Sequence, residues 1–142
     1  MDETCSRHND FCIAGRLRML SRVITSLYNE AFAAEGVTFA QASLLMQIFG
    51  EPGIRQMTLS KRLQIEKSAL SRDVQLLQRH GWITDAVRAG LFLTETGKQV
   101  AGRCQTRWKA MHEQVGGQLG PEAVEALAQI SNQILTLKID RN

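Results

Sequence analysis

Along most of this chain, apolar and polar positions alternate with the period of a helix. After a polar stretch over residues 1–8, Ile13, Leu17, Leu20, Ile24, Leu27 and Ala31 recur at spacings that alternate between four and three, which is the seam of a coiled coil. Asn9 or Asp10 is placed to cap that helix, and Gly36 ends it. Thr38 is a cap for a second helix with Ala42, Leu45, Met46 and Phe49 on its core face, and Gly50-Glu51-Pro52-Gly53 reads as a turn. Thr58 caps a short third helix that contains Leu59 and Leu63. A fourth runs from Lys67 to His80, with Leu70, Val74 and Leu77 as its buried stripe, Ala69 beside them, and Gly81 as its stop. Two short β-prone runs follow, Trp82-Ile83-Thr84 and Leu91-Phe92-Leu93, joined through Asp85 to Gly90 as a hairpin. Thr94 caps a fifth helix striped by Val100, Cys104, Trp108, Met111 and Val115, which Gly116-Gly117 breaks. Gly120-Pro121 is a second break, and Pro121 suits the first turn of a last helix lined by Val124, Leu127, Ile130, Ile134 and Leu137.

This order predicts a mainly α fold with a small β-hairpin wing: a winged helix-turn-helix flanked by dimerisation helices. Residues 1–142 form a single domain, with about 38–94 as the DNA-binding lobe and about 9–35 and 95–139 as the dimerisation helices. The outer helices carry longer apolar stripes than a lone small domain needs, so a second copy across a two-fold axis is the economical cover.

Composition narrows the function class. With 44% hydrophobic and 22% charged residues the chain can bury a core and is not disordered by composition. The net charge is +3, yet it is unevenly spread. From Arg55 to Arg107 there are ten basic residues and four acidic ones, a local balance of +6 that leaves −3 for the rest. A basic middle with acidic flanks fits a polyanion held by one part of the fold. No apolar run approaches the roughly 18 residues of a membrane span, and the first residues lack a secretory pattern, so a cytoplasmic protein with no membrane partner is expected. Cys5, Cys12 and Cys104 form no CxxC pair and no zinc spacing with His8, His80 or His112. Neither a metal nor a cofactor is expected.

The fourth helix is the candidate reading element. With Leu70, Val74 and Leu77 facing inward, Ser68, Ser71, Arg72, Gln75 and Arg79 lie towards the other side. Its N-terminal end, from Lys67 to Arg72, would enter a major groove. Arginine bonds guanine bidentately, glutamine bonds adenine, and serine serves phosphate or base. Thr58, at the start of the preceding helix, would hold phosphate, and Arg88 at the hairpin tip would reach a minor groove.

These residues resemble the multiple-antibiotic-resistance regulator (MarR) family of winged-helix transcription factors. The similarity lies in LSKRLQIEKSALSRDVQLLQRHGWI followed by LFLTETGKQV, and in Gly36-Val37-Thr38 with Gln41. It covers Phe11 to about Leu137 and is most specific from Lys67 to Ile83. The resemblance implies a homodimer built by the outer helices, bound to double-stranded DNA at a palindromic operator, usually as a repressor. It matches Ser68, Ser71 and Arg72 to the family's base- and phosphate-contacting positions. Two departures stand out. The family wing is usually longer, with an Asp-x-Arg motif, whereas here Asp85 to Gly90 holds only Arg88. The turn between the reading helices often holds a glycine where this chain has Gln64, which would cost on the order of 1 kcal/mol if that site needs positive φ.

The resemblance also implies a switch. Members often release DNA on binding a small phenolic or other aromatic effector, for which Tyr28, Met46, Phe49 and Met111 are the candidates beside plain core packing. Phe11-Cys12-Ile13 resembles the segment bearing the reactive cysteine of the family's peroxide sensors, and a first-turn position favours a thiolate. Cys12 sits about two residues further out than in those sensors, counted by helical spacing, and the single tyrosine is Tyr28. Cys104 reads as core, and Cys5 would be a resolving thiol for a Cys12 sulfenate. Two other readings stand beside the regulator. One is a winged-helix protein-interaction module without specific DNA reading. The other is a thiol-based enzyme around Cys12 and His8, which would need a nucleophile, a base and an orienting group within reach; the three histidines are scattered along the sequence, and the chain is therefore read as not an enzyme.

Overall fold

The computed structural model describes residues 12–84 and 87–140. Among these, six α-helices succeed one another: α1 Ile13–Phe32, α2 Phe39–Gly50, α3 Gln56–Leu63, α4 Lys67–Arg79, α5 Glu95–Leu119 and α6 Pro121–Leu135. The chain divides into two compact units, residues 1–107 and 108–142, with α5 running out of the first into the second.

The first unit is held by one apolar core. Phe32, Leu44, Leu45, Ile48, Leu59, Leu70, Val74, Leu77, Leu91 and Cys104 are almost wholly buried. At α1, Cys12 is the extended N-cap residue, and its Sγ accepts the Gly15 N–H at 3.4 Å. Asn9 and Asp10, the caps expected from sequence, lie outside the described residues. The helix closes through a 3-10 turn, Ala33–Glu35, onto Gly36 in the left-handed region (φ 70°). Thr38 caps α2 as expected, in a reciprocal box: its Oγ1 accepts the Gln41 N–H while Gln41 Oε1 accepts the Thr38 N–H. Such caps contribute about 1 kcal/mol.

The core face of α2 differs from the expectation. Ala42, Leu44, Leu45 and Ile48 are buried, Met46 is half-buried and Phe49 is exposed. FAQASLLMQIF is apolar nearly all round, so its periodicity does not select a face. Tyr28, Phe32 and Phe39 cluster with ring centroids 5.1–6.5 Å apart, and Asn29 Oδ1 accepts the Phe39 N–H at 2.7 Å, which joins α1 to α2.

Two further starts and stops depart from the sequence reading. The N-cap of α3 is Arg55, without a side-chain capping bond, and Thr58 sits within the first turn. Gly116-Gly117 does not break α5, which runs on to Leu119. Two glycines cost only about 1 kcal/mol each inside a helix, and the break comes at Gly120 (φ 86°) before Pro121.

The expected hairpin is reduced to single bridges among the described residues. Ile83 pairs with Leu93, flanked by Thr84 N–H to Phe92 O and Thr94 N–H to Trp82 O, both 3.0 Å. Leu91 also pairs with Ile54, which the sequence reading left in a loop. The runs are three residues long, and the first leg has only Ile83 in register, so no ladder propagates. Close backbone contact explains two glycines here. A Cβ on Gly90 (φ 105°) would stand 2.2 Å from Gly53 O, and one on Gly97 would stand 2.0 Å from Trp82 O. Thr94 locks the same corner: it donates to Gly81 O and accepts the Gly97 N–H, capping α5 as expected.

Candidate nucleic-acid interface

The turn from α3 to α4 sets the site. Gln64, at the C-cap of α3, takes the left-handed conformation (φ 54°, ψ 44°), as a family glycine would. Its Nε2 donates to Lys61 O at 2.9 Å, which closes the helix end. Ser60 Oγ donates to Ile65 O at 2.6 Å and fixes the next residue. With α3 packed on α4, Leu70, Val74 and Leu77 are buried, as expected. At about 100° per residue, Ser68, Arg72, Gln75 and Arg79 then form a stripe roughly opposite the core, and all four are exposed. Ser71 lies off the stripe and is half-buried. Lys67 is exposed at the first turn, where with Gln56, Met57 and Leu70 it lines a shallow cleft of about 180 Å³.

The basic residues divide into two groups. Arg62 is bound to Glu51 (2.9 Å) and Gln47 (3.2 Å). Arg103 and Arg107, one turn apart on α5, both hold Glu35, at 2.8 and 2.9 Å. The Glu35 side chain is only 8% exposed, and these two guanidinium hydrogen bonds hold its carboxyl below the ordinary value. Lys67, Arg72, Arg79 and Arg88 are exposed and have no anionic partner among the described residues. Sequence counting alone could not separate the groups, because Glu35 lies 68 residues from Arg103. Arg88 sits in a 3-10 turn, Val87–Ala89, and Thr58 is exposed on α3. Asp85 and Ala86, at the expected wing tip, lie outside the described residues.

The candidate switch residues are placed as follows. Tyr28 is buried in the aromatic cluster, Met46 is half-buried, Phe49 is exposed, and Met111 is half-buried in the second unit. Cys12 is exposed at the head of α1, whereas Cys104 is fully buried and burial pushes its thiol up. Cys5 and His8 lie outside the described residues.

The MarR family's sequence profile matches residues 35–89, the stretch that builds this interface. Over that stretch the chain is similar to the MarR family. It is 28% identical over 94 residues to YybA, an uncharacterised HTH-type transcriptional regulator of Bacillus subtilis (strain 168); the match spans 62% of this chain and 63% of that relative. Among solved structures, a MepR–DNA complex from S. aureus matches with a TM-score of 0.76 at 21% identity, over 90% of this chain and 97% of that one. CouR from Rhodococcus jostii RHA1, bound to p-coumaroyl-CoA, matches with a TM-score of 0.76 at 17% identity, over 93% and 97%. At these identities the likeness to the solved structures establishes a shared fold.

Proposed function

We propose that this protein is a MarR-type, sequence-specific DNA-binding transcriptional regulator, a homodimeric repressor of a palindromic operator. One observation carries the reading. The stripe Ser68–Arg72–Gln75–Arg79 faces away from the core of a helix-turn-helix, and its two arginines have no anionic partner among the described residues while Arg62, Arg103 and Arg107 are already paired. Arg72, Gln75 and Arg79 thus present base-reading chemistry on the helix that would enter a major groove. Lys67, Ser71, Thr58 and Arg88 add phosphate and minor-groove contacts around it. The DNA-bound state of MepR supports the same role for this fold. Such a protein works where its DNA is, in the cytoplasm of a bacterial cell, and among the described residues no helix is long and apolar enough to cross a membrane.

Homodimerisation rests on the outer helices. Ile13, Leu17, Leu20, Ile24 and Leu27 on α1 and Val124, Leu127, Ile130 and Ile134 on α6 are all exposed, far more apolar surface than a monomer leaves in water. Release follows binding of a small aromatic effector at Tyr28, Met46, Phe49 or Met111, for which ligand-bound CouR is the supporting precedent, or oxidation of the exposed Cys12.

The test is selection of genomic fragments by the reduced protein, with sequencing and a salt titration of the best fragment. A palindrome with half-sites about one helical turn apart is expected. Arg72→Ala should weaken binding to it by roughly 1–3 kcal/mol; unchanged affinity would remove Arg72 from the reading set. Weak, salt-sensitive binding with no enriched sequence would overturn the regulator and favour a protein-binding module. Cys12→Ser should abolish any peroxide response of the bound complex, and a response that survives the change clears Cys12.

A further inference from the structure

The N-terminal end of α4 carries an anion that the reading above does not use. Glu66 occupies the N-cap position, yet its side chain caps no backbone N–H of the helix. A carboxylate at a helix N-terminus is favoured by the free N–H groups of the first turn. Instead, Glu66 Oε1 takes the hydroxyl of Ser68 at 2.8 Å. Both residues are exposed, and no lysine or arginine pairs with Glu66 among the described residues. Ser68 heads the stripe that faces away from the core, so this pair stands at the end of the helix assigned to the groove.

The hydrogen bond fixes what the pair can offer. A carboxylate only accepts, so the shared proton is the serine's, and a serine hydroxyl has one proton to give. With that proton spent, Ser68 Oγ and both Glu66 oxygens turn only lone pairs outward. Such a pair cannot bond a phosphate, which is itself only an acceptor. Guanine shows two acceptors in the major groove, and thymine shows an acceptor and a methyl group. Adenine shows a donor beside the N7 acceptor, whereas cytosine shows its N4 amino donor with no acceptor next to it.

We propose that Glu66 is a specificity-determining residue of this protein: hydrogen-bonded to Ser68, it forms an acceptor-only pair that selects cytosine at one position of each operator half-site. The inference rests on the DNA-regulator reading and reassigns Ser68 from phosphate to base.

The experiment is selection from a randomised duplex pool by the wild-type protein, Glu66→Gln and Glu66→Ala. Titrations follow on the best site and on copies with single base pairs changed. In the wild-type motif one position per half-site is cytosine, and replacing it weakens binding about tenfold, within the range of a single good base contact. Glu66→Ala flattens that position to within about threefold and leaves the others alone. Glu66→Gln, whose amide both donates and accepts, admits guanine there. An unchanged base profile in both variants overturns the proposal, as does uniformly tighter binding to every duplex, which is the mark of a charge that only repels phosphate. Failure of the wild-type protein to enrich any motif refutes the regulator reading itself, an outcome separate from these. Circular dichroism of each exposed-site variant confirms the fold before binding is compared.

Discussion

Helices α4 and α1 are both amphipathic, and each leaves one face exposed among the described residues, but the two faces are opposite in chemistry. On α4 the apolar side, Leu70, Val74 and Leu77, is buried and the polar side is free. On α1 only Tyr28 and Phe32 near its end are buried, and the apolar seam from Ile13 to Leu27 lies open. An open polar face costs a protein nothing in water, so exposed arginines alone say little. An open apolar seam does cost, because burying apolar surface stabilises by about 25 cal/mol per Å². Under the proposed function the contrast gives the two helices different partners: α4 is complete as a structural element and would offer charge to a polyanion, while α1 would be covered by another apolar surface.

The largest effect expected from this contrast is within α4 itself. Leu77→Ala should destabilise the fold by about 2–5 kcal/mol through lost burial and a residual cavity, read as a shift in the denaturant midpoint. Arg79→Ala, two residues on and exposed, should change stability by no more than about 0.5 kcal/mol. Comparable losses from the two changes would mean that the helix does not divide into a structural and a free face.

Next in size is the seam of α1. Leu20 is 50% exposed in the chain, so Leu20→Glu leaves the isolated fold nearly untouched. If a second copy covers it, the change buries an unpaired charge and weakens assembly by on the order of 3 kcal/mol. Sedimentation equilibrium should show the wild type as a dimer and the variant dissociating at concentrations roughly a hundredfold higher. A wild-type monomer would show that some other surface finishes α1.

How much of this contrast was legible in the sequence depends on the range of the interaction that decides each feature. The buried stripe of α4 and the Thr38 and Thr94 caps follow from residues within about one turn of each other, and local chemistry fixes them; the positive φ at Gln64 was suggested only by the family resemblance, since an L residue disfavours it. The face of α2 was not legible, because neighbours distant in sequence choose among its many apolar positions. Nor was the pairing of Leu91 with Ile54, which joins residues 37 apart. The same limit blurred the candidate site: the basic count from Arg55 to Arg107 included Arg103 and Arg107, which a residue outside that window, Glu35, takes out of service.

That ion triad gives a smaller, pH-dependent prediction. The folded-state pKa of Glu35 is lowered, first by the hydrogen bonds from Arg103 and Arg107, below an ordinary value of 4.5. A depressed carboxyl contributes stability that is fully present above the ordinary value and is lost as pH falls through the folded one. Glu35→Gln should therefore cost about 1 kcal/mol near neutrality, since the arginines are about half exposed and screened by solvent. The melting curves of wild type and variant should converge as pH drops below 4.5. A gap that stays constant down to acid pH would show that Glu35 acts by packing rather than charge.

The smallest effect is expected at Gln64, where strain and bonding oppose each other. Left-handed backbone costs an L residue roughly 1 kcal/mol, so glycine would relieve it. Glycine would also lose the bond from Nε2 to Lys61 O, about 0.5 kcal/mol for an exposed amide, and would gain freedom in the unfolded chain. Gln64→Gly should thus change stability by less than about 0.5 kcal/mol. Gln64→Val, branched at Cβ and unable to make the bond, should cost about 1–2 kcal/mol. Because the residue sits between α3 and α4, operator affinity should follow stability in both variants. If Gln64→Gly keeps its stability and still loses affinity, the side chain itself touches DNA, and the polar face offered to the polyanion extends from α4 back into the turn.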